Sequence, residues 1–564
     1  MLQIAPSCSA HWNVGGNGIG CRMSAKAAIR GRVKVKIGLA AALSSLMLVA
    51  CAQAQPTSNS PKSATFVVAL QAVPVNLDVK PFGGEPMIDV ETALQSQLFM
   101  YDTSGLAGQG CSQMGGLNNV VGDLASSWTF SADRKTITVK LKNVKSAWGH
   151  DLTADDVVYS LNRAFALSSV AIGNMTSSTH YATPPATAVS QDTVELHVNS
   201  PTAVDLAILT HFTGQIYDSQ ELKLHATSAD PWANQWLQTN TADFGPWKLE
   251  SFQPGSRISF VPNPYYNGSR GNITHLIFES VPDSSTRAEL LQTGQAQWAW
   301  GLSYGDFKSL QGKVGITTKD CVSPNRDDLV LNMKDPHFAN VLVRQAISMA
   351  INRQEINLGA YQGLAQPSKY GVSAAYDFPR PSTTYSYDPA QAKILLAQAG
   401  YANGFPMQLT YSASRPGPQV TQSSVLVKDD LAQIGINVTL VNVASASDFN
   451  SIFYKPSFQA ILYSEPPAIA DPYYSATTYT ISTSAQDQYG WKDPSFDQLI
   501  LSVGSTQPGP QRQALIQQLA IEVVNLVPMI YLEDTPYLYA YSSKVTGFDA
   551  VPYGKLFPSQ LTVQ

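Results

Sequence analysis

The chain has 564 residues, 36 Lys and Arg against 41 Asp and Glu, a formal net charge of −5, and a hydrophobic fraction of 44%. That length exceeds what one hydrophobic core supports, so two or more domains are expected. The mildly acidic balance leaves no basic excess to attract nucleic acid, which is not expected as a partner, and a single long apolar run, at 37–50, excludes a bundle of transmembrane helices.

The N-terminus reads as an export leader. Lys26, Arg30, Arg32, Lys34 and Lys36 form a positive segment, residues 37–50 an apolar core too short for a stop-transfer helix, and Leu48-Val49-Ala50-Cys51 closes it in the pattern of a lipobox. Residues 1–51 are then leader and lipobox, and Cys51 is the lipidated first residue of the mature chain. At about 0.8 kcal/mol per buried methylene, several acyl chains on one cysteine anchor durably where one binds marginally. The same stretch also fits cleavage after Ala52-Gln53-Ala54, releasing a soluble protein, or an uncleaved anchor. Residues 1–22 precede a second methionine, Met23, and add nothing a leader needs. Residues 52–63, rich in Gln, Pro and Ser, read as a flexible tether to a globular start at 64. Loss of Cys8 and Cys21 with the leader leaves Cys111 and Cys321 as a disulfide or as two separate thiols, with no metal-site spacing.

In the body, strand-like and helix-like segments alternate, the signature of layered α/β domains. TFVVAL at 65–70 is a β-branched apolar run, and TITVKL at 136–141 alternates as a half-buried strand should. Thr153 caps a helix over 154–165, with Asp156 completing a capping box and Val157, Leu161 and Phe165 on one face. A helix at 284–293 precedes Gln297-Trp298-Ala299-Trp300, where strand alternation puts Trp298 and Trp300 on one face, either lining a cleft or packing a core. Apolar spacing predicts a helix over 341–356, and Asp388-Pro389 opens another that Gly400 closes.

Several motifs of catalysis are missing: no HExxH, GxxxxGK[ST] or GxGxxG occurs. His150 lies beside Asp151, Asp155 and Asp156, but helix capping already accounts for the last two. The remaining histidines of the body are scattered singly. No catalytic residue, cofactor or metal is therefore assigned, and an enzyme is not expected.

Several segments stand in order along the chain: VPVNLD at 73–78, the block running from VGDLASSWTF through WGHDLTADDVVYSLNRAF at 121–165, the block DFGPWKLESFQPG through LLQTGQAQ at 243–297, LVLNMKDPHFANVLVRQAISMAINRQEI at 329–356, and YDPAQAKILLAQAGYANGF at 387–405. From about 65 to 557 the chain thereby resembles the family 5 extracellular solute-binding proteins, the peptide, opine and nickel receptors of ABC importers. The resemblance implies a two-lobed periplasmic-binding-protein-like α/β fold of type II, with an enlarged first lobe and a two-strand hinge. Lobe I with its extra subdomain would span 64–327, lobe II 328–527, and 528–564 would return to lobe I, with crossovers near 328–333 and 528–541. Closure of such lobes buries a ligand. The implied partners are a peptide or small-molecule solute, ABC permease subunits and, through the lipid, a membrane; the protein is expected to be an extracytoplasmic monomer.

Site residues follow from the same resemblance. SASRPGP at 412–418 resembles the segment whose arginine pairs with a peptide carboxylate, which makes Arg415 the candidate. YSEPPAIADP at 463–472 resembles the amine-binding segment, but the family's aspartate falls on Ala468, leaving Glu465 or Asp471 to take the role; Asp471 before Pro472 also suits a turn cap. Trp298, Trp300, Tyr463 and Tyr473 are the aromatic candidates. The alternative solutes are a sugar, an opine or a metal complex, and the alternative class is an extracytoplasmic enzyme, chaperone or sensor on the same scaffold.

Overall fold

A computed structural model describes residues 64–78, 90, 93, 96–102, 116–167, 178–268, 270–455, 457–484, 489–548, 554 and 556–564. The leader, Cys51, the tether and Cys111 lie outside the described residues. Cys321 is disulfide-bonded, and every other cysteine of the chain lies outside them.

Strand Ala64–Leu70 occupies the middle of a seven-stranded sheet, and its apolar run fits that place because both of its sides are occupied by parallel neighbours, Ile273–Ser280 and Trp298–Ala299. Tyr537–Ser542 continues the sheet between Trp298–Ala299 and Ile316–Cys321, antiparallel to both. A second, six-stranded sheet has Arg326–Leu331 between Ile530–Asp534 and Ala460–Glu465, again antiparallel to both, and every residue of that strand is buried. A third sheet of four antiparallel strands contains Thr136–Leu141, whose alternation is realised as buried Ile137, Val139 and Leu141. This is a two-lobed α/β fold with an added β subdomain. One apolar cluster runs from Ile137 and Leu196 of the four-stranded sheet to Ile461, Tyr473 and Phe496 of the second lobe, so the subdomain and that lobe are apposed. Ala203 N donates to Gly504 O at 2.8 Å across the same contact.

The chain passes between the two large sheets twice, at residues 322–325 and at Thr535-Pro536. These connectors touch: Ser323 Oγ donates to Thr535 O at 2.5 Å and Thr535 N to Asn325 O at 2.9 Å. The outgoing passage thus precedes the expected 328–333, because Arg326–Leu331 pairs along its whole length with second-sheet strands; the return passage falls inside 528–541.

Helix starts follow their capping residues. Thr153 N and Thr153 Oγ1 both donate to Asp156 Oδ2 at 2.8 Å at the head of Ala154–Ala166, and Asp156 Oδ1 also accepts from Ser219 N at 2.8 Å. Asp388 caps Pro389–Gln398, accepting from Gln391 N at 2.9 Å. The expected helix over 341–356 is instead two, Val341–Ala350 and Arg353–Ala360. The break has a local and a distant cause: the Asn352 side chain caps the second helix at Glu355 N, while Asn352 N donates to Asp430 Oδ2 at 2.8 Å. His150 is likewise absorbed by structure, its Nδ1 lying 2.8 Å from Asp218 Oδ2.

Two of the ordered segments are joined by a buried ion pair. Asp78, ending VPVNLD, meets both terminal nitrogens of Arg163 from helix Ala154–Ala166, with Nη1 to Oδ1 at 3.0 Å, and both side chains are fully buried. Removing one partner strands the other charge in a dry interior. Arg163→Met is expected to lower the unfolding free energy by about 3–5 kcal/mol, measured by chemical denaturation, with Asp78→Asn showing a loss of the same order.

Candidate ligand-binding cleft

A cavity of about 490 Å³ opens between the two large sheets, beside both connectors. The first lobe contributes Gln71 just past strand Ala64–Leu70, the head of helix Ser284–Gln292, Trp300, Tyr304, Tyr537 and Tyr539; the second contributes Asp327, Arg415, Gln419 and Ser464. These are residues at or next to strand ends and helix starts, where side chains project beyond the paired backbone.

Trp298 and Trp300 do share a face, with ring centroids 6.2 Å apart. They do not share an environment. Trp298 is fully buried, stacked on Tyr541 at 4.7 Å and edge-on to Phe548, because its strand position is flanked by Val68 and Tyr541. Trp300 lies past the end of the strand, is half-buried and lines the cavity.

Arg415 also lines the cavity and hydrogen-bonds the Tyr463 hydroxyl. Tyr463 itself is buried, its ring stacked on Phe453 at 3.8 Å, so it orients Arg415 from within the core. Burial pushes the Tyr463 phenol upward, and the adjacent Arg415 acts in the opposite sense. Glu465 is fully buried and paired to Arg326 at 2.8 Å, directly across the strand pair. Asp471 caps helix Pro472–Tyr479 at Tyr473 N and takes a two-pronged pair from Arg512, at 2.9 and 2.7 Å. Tyr473 is buried against Gly504, where a Cβ would come within 2.3 Å of its ring. The charges of Glu465 and Asp471 are thus committed to internal partners. A second cavity, of about 580 Å³, has Asp471 and Arg512 in its wall together with Tyr376, Asp377 and Arg380.

Asp327 was not among the sequence candidates. It is 4% exposed, lies in the cavity wall, and accepts hydrogen bonds from Tyr361 Oη at 2.6 Å, from Gln419 Nε2 at 3.4 Å and from the Ser464 hydroxyl. Burial raises its pKa, an effect that those three donors oppose only in part. Glu533, opposite it in register, is pushed up to about 9 by burial against the opposing pull of Arg353, so it is neutral near pH 7. The signal in the sequence was the acidic pair Asp327-Asp328 at the head of an apolar strand run, where water-facing charge is out of place. On the first-lobe side, Asp283 caps helix Ser284–Gln292 and is held down to about 2, chiefly by the Ser285 hydroxyl. Arg287 spends its donors on the carbonyls of Val281, Pro282 and Gly301. Among the described residues no group of three or more His, Cys, Asp or Glu could hold a metal ion, and no helix is long and apolar enough to cross a membrane.

Two α/β lobes, a double connector and a cleft walled from both sides define the class of two-lobed binding proteins. The chain belongs to the bacterial extracellular solute-binding proteins, family 5: residues 119–529 match the profile described as "Bacterial extracellular solute-binding proteins, family 5 Middle". It is 25% identical over 463 residues to the dipeptide-binding protein of Escherichia coli (strain K12), covering 78% of this chain and 85% of that one. It is 24% identical over 556 residues to heme-binding protein A of Haemophilus influenzae, covering 93% and 98%. Its fold is similar to that of the ABC transporter-associated periplasmic binding protein DppA from Helicobacter pylori in complex with the peptide STSA, with a TM-score of 0.76, 21% identity, and 89% and 98% of the two chains covered.

The contrast between the two tryptophans is directly testable. Trp298→Ala should lower stability by about 3–5 kcal/mol in denaturant titrations, as for other large buried aromatics. Trp300→Ala should lower it by clearly less, and equal losses would contradict the assignment of only one of the two rings to the core.

Proposed function

We propose that this chain is the substrate-binding component of an ABC importer, capturing an oligopeptide or similar solute in the interlobe cleft and delivering it to a membrane permease. The observation that carries the reading is the cavity of about 490 Å³ whose walls come from both lobes. A solute lodged there contacts both sheets at once, so its binding energy favours apposed lobes over separated ones. The connectors 322–325 and Thr535-Pro536 are short and side by side, which suits a hinge between bodies that move as units. Family membership supports an extracytoplasmic site of action. The dipeptide-binding relative and the peptide-bound neighbour support a solute of the peptide class.

Arg415 is the residue proposed to pair with the solute's carboxylate, oriented by Tyr463, with Trp300 packing on the solute from the first lobe. Solute is held and released unchanged, so no bond-making group is required in the cleft. The leader supports a signal peptide and a lipid on Cys51, and the tether at 52–63 keeps a monomeric receptor within reach of its permease.

Thermal unfolding of the purified protein against peptides, opines, sugars, metal chelates and haem tests the solute class. A peptide at about 100 times its dissociation constant should add about 2.7 kcal/mol of stability; stabilisation by none of the panel would overturn the receptor reading. Arg415→Ala should weaken binding of a stabilising peptide by about 1.5–3 kcal/mol in titration calorimetry, and unchanged affinity would remove Arg415 from the site. Cys51→Ala should shift the protein from the membrane fraction to the soluble fraction of expressing cells, with fractionation read by immunoblot.

A further inference from the structure

Five carboxylates are gathered where the two connectors meet the second lobe. Asp327 and Asp328 follow the outgoing connector on strand Arg326–Leu331, Glu533 and Asp534 precede the returning connector on Ile530–Asp534, and Glu465 ends the neighbouring strand Ala460–Glu465. Register sets them side by side. Arg326 lies opposite Glu465 on one side and Asp534 on the other, and Asp327 lies opposite Glu533. The cations that face them are Arg326, which pairs with Glu465, and Arg353 of helix Arg353–Ala360, which directs its donors to Tyr531 O and Ser348. Two guanidiniums thus face five acids, and among the described residues Glu465 is the one of the five that forms an ion pair.

Hydrogen bonding separates the remaining four. Asp327 accepts from Tyr361, Gln419 and Ser464, and Asp534 accepts from Ala374 N at 3.0 Å through Oδ2, its Oδ1 being buried without a hydrogen-bond partner. Asp328 and Glu533 are fully buried, and all four of their carboxylate oxygens lack a hydrogen-bond partner. An ionised carboxylate in that position has neither counter-charge nor donor, whereas a protonated one avoids most of that cost. Among the described residues no group of three or more acids or other ligands could hold a metal ion, which leaves protons to remove the charge. Burial lifts Asp328 well above the carboxylate range, reinforced by Glu465 and opposed by Arg326, and lifts Glu533 to about 9 against the pull of Arg353. The tyrosines packed here, Tyr304, Tyr361, Tyr385 and Tyr531, are raised by burial too and add no charge. Composition points the same way: 14% of the residues are Asp, Glu, Lys or Arg, where soluble domains carry about 25%. When exposed carboxylates protonate in acid, few basic groups are left to repel one another.

We infer that the strands carrying the chain into and out of the second lobe are held in their pairing by protons retained on Asp328, Glu533 and Asp534, so that the fold suits acidic to neutral surroundings and weakens as the medium turns alkaline. This goes beyond the receptor reading and does not depend on it. An acid that holds its proton more tightly in the folded chain contributes fully below the ordinary carboxylate range near about 4. That contribution is lost as pH rises through the folded value, which for Glu533 is about 9. Both connectors start from these strands, so ionisation acts at the joint between the lobes.

Urea denaturation of the purified protein at pH 5, 7 and 9 provides the test. The midpoint should fall from pH 5 to pH 9, and the fall should shrink by about half or more in a double variant, Asp328→Asn with Glu533→Gln, whose amides do not ionise. Asp243, buried outside this cluster and pushed up to about 8 by burial, adds to the fall in both proteins, so the comparison between them localises the effect. A midpoint that stays level or rises between pH 5 and pH 9 would overturn the inference, as would a fall equally steep in both proteins. If the double variant does not fold, proton release decides. Unfolding the unmodified protein at pH 7 in weakly buffered urea should release about two protons or more per molecule, because Asp243 accounts for one at most, and a smaller release would overturn the inference.

Discussion

Arg326 is the cation on which the second lobe depends. It lies in a strand whose every residue is buried, donates to Glu465 at 2.8 Å and to Gly371 O at 3.1 Å, and covers the ring of Tyr531 at 3.6 Å. Burial by itself would lower its pKa, but Glu465, Tyr531, Asp328 and Asp534 together hold it well above its ordinary value. One guanidinium cannot balance that many buried acids if all are ionised. The burden is eased because burial, reinforced by Glu465, lifts Asp328 well above the carboxylate range, and burial raises Asp534 as well, shifts that favour their neutral forms. The strand with this charge arrangement is also the one through which the chain enters the second lobe, so the connector, the cleft wall at Asp327 and the sheet are all registered on it.

What could be read in advance divides along the distance between interacting residues. Alternation in Thr136–Leu141 and the caps at Thr153 and Asp388 are settled within a few neighbours, and they are visible in the sequence for that reason. The break at Asn352 was not, because the same residues satisfy helical spacing until Asp430, 78 positions away, takes the Asn352 N–H. Parity along the strand correctly put Trp298 and Trp300 on one face, yet depth was set by Tyr541 and Phe548 from the far end of the chain. Glu465 and Asp471 were conspicuous as acids near the expected amine-binding segment. Their partners, Arg326 at a separation of 139 residues and Arg512 at 41, are what commit them to the interior.

The apposed lobes also explain why so much of the aromatic content lies away from the cleft. Tyr463, Tyr473 and Tyr479 belong to an apolar cluster shared between the four-stranded subdomain and the second lobe. Apolar burial there holds the subdomain against the second lobe, at roughly 25 cal/mol per Å² removed from water. In a two-lobed binding protein it is the ligand's differential contacts with the two lobes that decide which arrangement is populated.

The distribution of charge around the cleft suggests how that decision is divided. Asp327 and Arg415 both belong to the second lobe, one in its central strand and one in the loop after Pro406–Tyr411. The first lobe faces them with Trp300, Tyr537 and Tyr539, and with Asp283, whose Oδ1 is taken up by Ser285 and Thr286 at the exposed head of a helix. An exposed carboxylate is screened by water and salt and adds little to recognition. On the proposed assignment of Arg415, a solute carboxylate meets its partner on the second lobe, while the first lobe contributes mainly aromatic surface that gains only when water is expelled.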